Sequence, residues 1–247
     1  MIKNISKSIQ SYFKAITLIN QLKLWKYFLV PILIGLVFGL VFISLALTLA
    51  DNVGLYLSNF WTFDFGKSFV TTFSTYISGF LIIILGIILF KHVLMALSAP
   101  FMTPVSEKVE AFLTGQTSVK SQIGFMPQLV RSLRLNGRNL FKELIITLPL
   151  MLLSLIPVIG LIAVVLIFYF QSYYTGIGNM DYTLERHLNY SESKKFIKKN
   201  KGIAIGNGAV FTLMLLIPFI GIMLTLPVAT VAATINVVEN LDQQKND

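Results

Sequence analysis

The sequence predicts an all-α integral membrane protein: two long transmembrane helices, two re-entrant helical hairpins that penetrate the bilayer partway, and interfacial amphipathic helices. Three observations predict it. Of 247 residues, 55% are hydrophobic and 13% charged, with a mean hydropathy of +0.76, outside the balance of soluble domains. Two apolar runs, 27–50 and 69–99, are long enough to cross about 30 Å of hydrocarbon at about 1.5 Å per residue. Two further apolar runs, 144–173 and 203–238, are each interrupted by Pro-x-x-Gly, which combines a missing backbone donor with a residue that tolerates tight turns. The length suits a single membrane domain spanning 1–247.

Residues 1–26 open the chain. Ile2, Ile5, Ile9, Tyr12, Phe13, Ile16 and Ile19 recur at helical spacing, with Lys3, Lys7 and Lys14 off that stripe. The pattern is that of a helix resting in the membrane interface; a solvent-facing helix packed on the rest of the protein is the alternative. The first apolar run is about 24 residues, beyond the roughly 7–15 of a signal peptide, and no small-x-small cleavage site follows.

The first spanning helix, 27–50, is entered through Trp25 and Tyr27 at headgroup level, with Pro31 in its first turns, where a missing donor is tolerated. Gly35-x-x-x-Gly39 is a candidate for close helix approach. Residues 51–68 read as a short loop rich in aromatics (Tyr56, Phe60, Trp61, Phe63, Phe65) with Lys67 its one basic residue. Basic residues favour the cytoplasmic side, so this loop is expected outside and both termini inside. In the second span, Lys91 and His92 read as interfacial, with Lys91 snorkelling to the headgroups. Pro100 and Pro104 are expected to break the helix, and Glu107, Lys108 and Glu110 to mark a return to water.

Arg131, Arg134, Arg138 and Lys142 share one helical face and Leu129, Leu133, Leu140 and Leu144 another, predicting a second interfacial helix. It leads into the first hairpin. Leu144–Ile156 and Leu161–Tyr173 are thirteen residues each, roughly 20 Å of helix and too short to cross. Charge supports a hairpin over one kinked span. The basic residues before the run and those after it (Arg186, Lys194, Lys195, Lys198, Lys199, Lys201) stay on one side only if the chain enters and leaves by the same face. The stretch 176–202 reads as polar and cytoplasmic. Ile217-Pro218-Phe219-Ile220-Gly221 then echoes Ile156-Pro157-Val158-Ile159-Gly160, predicting hairpin tips at Pro157 and Gly160 and at Pro218 and Gly221. The second arm of this last hairpin is longer, so two full crossings remain open there.

No catalytic signature is present: no Gly-x-Ser-x-Gly, His-Glu-x-x-His or Walker loop. The two histidines lie on different segments, and the chain has no cysteine. The reading is therefore a non-enzyme with neither metal nor cofactor. The net charge of +9 is explained by topology and membrane lipid, not by nucleic acid. Broken apolar segments are a mark of transport proteins.

The run from Ala99-Pro100-Phe101-Met102-Thr103-Pro104-Val105-Ser106-Glu107-Lys108 to Leu113-Thr114-Gly115 resembles the CysZ sulfate permeases and the wider etoposide-induced protein family. Agreement continues in order through Gln21 and Pro31, the 156–160 tip, Asp181-Tyr182 with His187, and Pro227-Val228-Ala229 with Ala233-Thr234. The resemblance covers about Ile16 to Glu239. It implies a bacterial inner-membrane protein with this helix plan, assembling as a homo-oligomer and passing sulfate or a similar anion. One motif departs: the family's Gly-Leu-Arg-Arg, linked there to sulfate binding, reads Lys23-Leu24-Trp25-Lys26. The carried-over anion-binding positions are Lys23, Leu24 and Lys26, where lysine offers a point charge without the arginine fork. The alternative function is a non-transporting protein of the same fold that organises membrane or docks a partner.

Overall fold

A computed structural model of the chain describes residues 1–58, 67–116, 124–154, 156, 158–217 and 220–246. The described residues form eight α-helices and one short 3-10 turn. Helix α1 (Ile2–Gln21) is followed by the 3-10 turn Leu24–Phe28. Then come α2 (Leu29–Ser58), α3 (Lys67–Thr114), α4 (Phe125–Leu153), α5 (Ile159–His187), α6 (Tyr190–Lys199), α7 (Lys201–Leu215) and α8 (Ile220–Asn246). The all-α membrane architecture thus holds, with α4–α5 and α7–α8 as two helical hairpins.

Several boundaries differ from expectation. The first long helix runs on to Ser58, because Asp51, Asn52 and a lone Gly54 weaken a helix without removing a backbone donor. The expected aromatics from Phe60 to Phe65 lie outside the described residues. Helix α3 runs unbroken for 48 residues through Pro100 and Pro104, roughly 72 Å at 1.5 Å per residue. Packing overrides the prolines: Ala99, Met102, Thr103, Val105 and Ser106 around them are all buried. The expected second interfacial helix and the first hairpin arm are one continuous helix, α4.

Four described helical stretches are long and apolar enough to cross a membrane: Leu24–Ser44, Leu85–Thr114, Ile159–His187 and Met223–Gln243. Burial separates their environments. Many α2 side chains, including Leu29, Leu33, Val37, Leu40 and Ile43, are exposed, whereas α8 is buried almost continuously from Thr225 to Val238. Its small residues, among them Ala229, Ala232 and Ala233, let neighbouring helices approach closely. Helix α8 is therefore a central post of the bundle, with α1, α2, α3, α5 and α7 around it. The last hairpin's second arm reads apolar because it faces protein.

Close backbone approach sets the other pairings. A Cβ on Gly176 would stand 1.9 Å from the Ala204 carbonyl oxygen, and one on Gly208 1.8 Å from that of Ser172, so α5 and α7 cross near backbone contact. Gly202 and Gly206 on α7 leave room for the Met1 and Ile5 carbonyls of α1. Helix α1 docks there through small and polar groups: the Ser8 hydroxyl donates to Ile203 O at 3.0 Å and the Tyr12 hydroxyl to Asn207 O at 2.6 Å. Ile2, Ile9, Phe13 and Ile16 remain exposed on its other flank. Helix α1 thus packs one face on the rest of the protein and leaves one apolar face open. Between α2 and α3 the close approach is at Gly86, whose Cβ would overlap the Phe42 ring. At Gly39 of the Gly35-x-x-x-Gly39 pair nothing lies within 4 Å of an added Cβ, while Gly35 is buried.

The two hairpin tips share one construction. The Gly160 amide donates to Ile156 O at 2.7 Å and the Gly221 amide to Ile217 O at 2.8 Å. A Cβ on Gly160 would meet Ser154 O at 2.4 Å, and one on Gly221 would meet Met214 O at 2.4 Å. Both glycines are required by the turn itself. Pro157 and Pro218 lie outside the described residues. Around the first tip Val158 is 78% and Leu161 76% exposed, so the hairpin ends in bare apolar surface.

Candidate functional site

The carried-over anion positions lie where α1 hands over to α2. Lys23 adopts φ 50° and ψ 48°, the left-handed region that glycine enters most easily. The position that the resemblance sets against a glycine therefore holds a left-handed backbone under a lysine. Leu24 is fully buried and anchors the turn in the core. Trp25 donates its indole N–H to Asn20 Oδ1 at 2.9 Å and packs on Phe28 with ring centroids 4.8 Å apart. The Lys26 ammonium lies 5.3 Å from the Tyr27 ring centroid, and Lys108 from α3 lies 5.4 Å from the same ring. The site thus gathers Lys26 with Lys108, a residue that sequence reasoning placed only at a return to water. Neither lysine forms an ion pair among the described residues.

Behind this cluster runs a polar core. The expected snorkelling of Lys91 is overturned: its side chain is wholly buried, and Nζ donates to Glu143 Oε1 at 2.6 Å. His92 Nε2 lies 2.9 Å from the second oxygen of the same carboxylate. Packing against α4 and α5 closes the route to the headgroups, and the carboxylate compensates for lost water. A signal for this pair existed. Glu143 is the lone carboxylate between Glu110 and Asp181, and Lys91 the lone lysine or arginine between Lys67 and Lys108.

A second set surrounds the end of α5. The stretch after Gly176 does not form a polar cytoplasmic segment up to Gly202; through Glu185 most of it is buried helix. Asp181 accepts from Arg131 at 2.9 and 3.3 Å. Arg186 donates to Glu110 Oε2 at 2.6 Å and to Ser106 at 2.7 Å, while His187 Nε2 lies 2.6 Å from Glu110 Oε1. The Thr103 hydroxyl donates to Glu185 at 2.7 Å. Ser106, Thr183 and Thr234 close a hydroxyl triad across α3, α5 and α8 at 2.8–3.0 Å. Glu110 therefore serves as a bridge inside the fold and not as a mark of solvent. The carboxylates of these core sets are all paired or hydrogen-bonded, so their geometry holds helices together, and among the described residues none of them reaches Lys26 or Lys108. Among the described residues no cluster suited to hold a metal occurs.

Residues 11–225 match the family described as sulfate transporter CysZ/etoposide-induced protein 2.4. The chain is 32% identical over 149 residues to a sulfate transporter CysZ of Pectobacterium atrosepticum, covering 59% of this chain and 54% of that protein. It is 29% identical over 161 residues to the sulfate transporter CysZ of a Pseudomonas aeruginosa strain, covering 63% and 65%. To that of Vibrio parahaemolyticus it is 31% identical over 144 residues, covering 56% and 57%. The chain thus spans between about half and two thirds of the length of the curated relatives it matches.

Proposed function

The chain belongs to the sulfate transporter CysZ/etoposide-induced protein 2.4 family, and from that premise we propose that it is a permease for a small inorganic oxyanion, sulfate by resemblance. The observation that carries the reading is the pair of ammonium groups, Lys26 and Lys108, flanking Tyr27 beside the left-handed turn at Lys23. Cations at the entry of the first span that have no carboxylate partner among the described residues attract an anion through charge-assisted contacts. The names of the relatives support sulfate as cargo.

The same proposal places the protein in the bacterial inner membrane as a homo-oligomer, with both termini cytoplasmic. Lys7 and Lys14 reach Glu239 at 2.9 and 3.9 Å, which joins α1 to the end of α8 on one face. The charge bias of the basic segments sets which face that is. Support for hairpins that stop within the bilayer comes from the exposed apolar tip at Val158 and Leu161; by length alone α5 reaches across.

The test is labelled sulfate uptake into liposomes, with flux normalised to inserted protein. Lys26→Ala and Lys108→Ala should each lower it severalfold, while Lys26→Arg should retain or raise it because arginine adds a fork for oxyanions. Equal flux in all variants would remove this site. No flux in the unaltered protein would remove the permease reading and leave the membrane-organising alternative, which the bare apolar tips favour.

A further inference from the structure

A second basic site lies away from Tyr27, at the junction of α4, α5 and α6. A cavity of about 220 Å³ is walled there by Asn139, Lys142, Tyr173, Tyr190, Lys194 and Ile197, with further residues completing it. Its positive charge is uncompensated: neither Lys142 nor Lys194 forms an ion pair among the described residues. Arg138 adds charge at the edge, where it hydrogen-bonds the Tyr190 hydroxyl and lies 5.2 Å from that ring's centroid. Burial, and then the charges of Arg138 and Lys194, hold the Lys142 ammonium below its ordinary range. The protein therefore concentrates like charge in a partly desolvated place, an arrangement that costs stability when empty.

A separate observation points to a missing acceptor. Asn139 is 6% exposed, and its Nδ2, closed off from solvent, has no hydrogen-bond partner. An orphaned buried donor is destabilising, and here it belongs to a side chain of the same cavity wall. Ammonium groups, an amide donor and tyrosines together form the donor set for a tetrahedral oxyanion. The position selects the source. Lys142 stands immediately before the apolar arm of α4, whose Ile145 and Leu148 are exposed, and Tyr173 ends the apolar part of α5. A phosphate held there would have its acyl chains beside those arms.

We propose that the cavity between α4, α5 and α6 is a phosphate-type oxyanion site, distinct from the Lys26–Lys108 cluster, that holds the headgroup of an anionic phospholipid through Lys142, Lys194 and Asn139. The test uses the full chain purified in detergent, with binding measured for short-chain phosphatidylglycerol, phosphatidylcholine and inorganic phosphate. Phosphatidylglycerol should bind saturably, and Lys142→Gln with Lys194→Gln should weaken it roughly tenfold or more, as loss of charged hydrogen bonds predicts. Lys195→Gln with Lys198→Gln removes the same charge from α6 outside the cavity wall and should leave affinity within about twofold. Lys142→Arg with Lys194→Arg should restore binding, which separates loss of the site from loss of the fold. Saturable phosphate binding with the same dependence would support the oxyanion site and assign it to a free ion. Equal weakening by both glutamine pairs, or phosphatidylcholine binding as tightly as phosphatidylglycerol, would reduce the effect to general membrane attraction and overturn the proposal. Absence of binding by both anionic probes would also overturn it.

Discussion

At the scale of single residues, the buried Lys91–Glu143 pair makes the sharpest claim. Removing one partner leaves an uncompensated charge in the core, which costs about 3–5 kcal/mol, whereas replacing both with apolar groups of similar size is often neutral. Glu143→Gln should therefore lower the melting temperature of the detergent-solubilised protein strongly. Lys91→Met combined with Glu143→Leu should recover most of the loss, and a double variant as unstable as the single would show that the pair is not the stabilising unit. Lys23 provides the opposite case. A side chain in the left-handed region costs roughly 1–2 kcal/mol relative to what glycine tolerates. Lys23→Gly should raise the melting temperature, and a decrease would mean that the Lys23 side chain contributes more than its backbone costs. Both residues were visible in the sequence as charges, but their surroundings were not. Lys91 meets Glu143 across 52 positions, a distance that local pattern does not bridge.

At the scale of elements, crossings and turns depend on positions where a Cβ has no room. Gly208 faces Ser172 O so closely that Gly208→Ala must push α7 from α5; overpacking of this kind costs typically about 1–3 kcal/mol. Gly137→Ala, with nothing within 4 Å of the added carbon, should be neutral or stabilising in its helix. Thermal melts of the two variants should separate clearly, and similar values would refute the crossing geometry. The first hairpin tip allows a topological test, because the chain contains no native cysteine. Cysteine at Val158 should resist a membrane-impermeant thiol reagent applied from outside intact cells. Prompt labelling would mean that the hairpin crosses. Turn chemistry is local, so the Pro-x-x-Gly spacing is legible in the sequence, and Gly160 and Gly221 stand at the starts of α5 and α8. The continuity of α3 through Pro100 and Pro104 was not foretold, because it depends on what packs around those turns.

At the scale of the whole molecule, the prediction concerns orientation. Basic segments and the Lys7–Glu239 contact joining α1 to α8 underlie the proposal that both termini lie on the side of α6. Cysteine at the exposed Lys195 should be labelled only after cells are made permeable, while a protease site inserted within residues 59–66 should be cut in intact cells. The reverse pattern would invert the protein in the membrane.

The sequence by itself determined the class, the two long helices, the positions of both hairpins and the family, because hydropathy, turn residues and ordered short motifs are local properties of the chain. The proposed anion positions Lys23, Leu24 and Lys26 come from the resemblance, and the structure adds that Lys23 carries the left-handed turn while Leu24 serves as an anchor. Tertiary structure alone decided which apolar face meets protein and which stands open. Hydropathy scores Ala229 to Ala233 and Leu29 to Leu33 alike as apolar, yet the first stretch is enclosed by five helices and much of the second is exposed. It also decided which charges are compensated, pairing Lys91, Arg131 and Arg186 with carboxylates on other helices and leaving Lys26, Lys108, Lys142 and Lys194 without such partners among the described residues. Coulomb energy depends on separation in space and on the surrounding dielectric, and neither is fixed until the helices have packed.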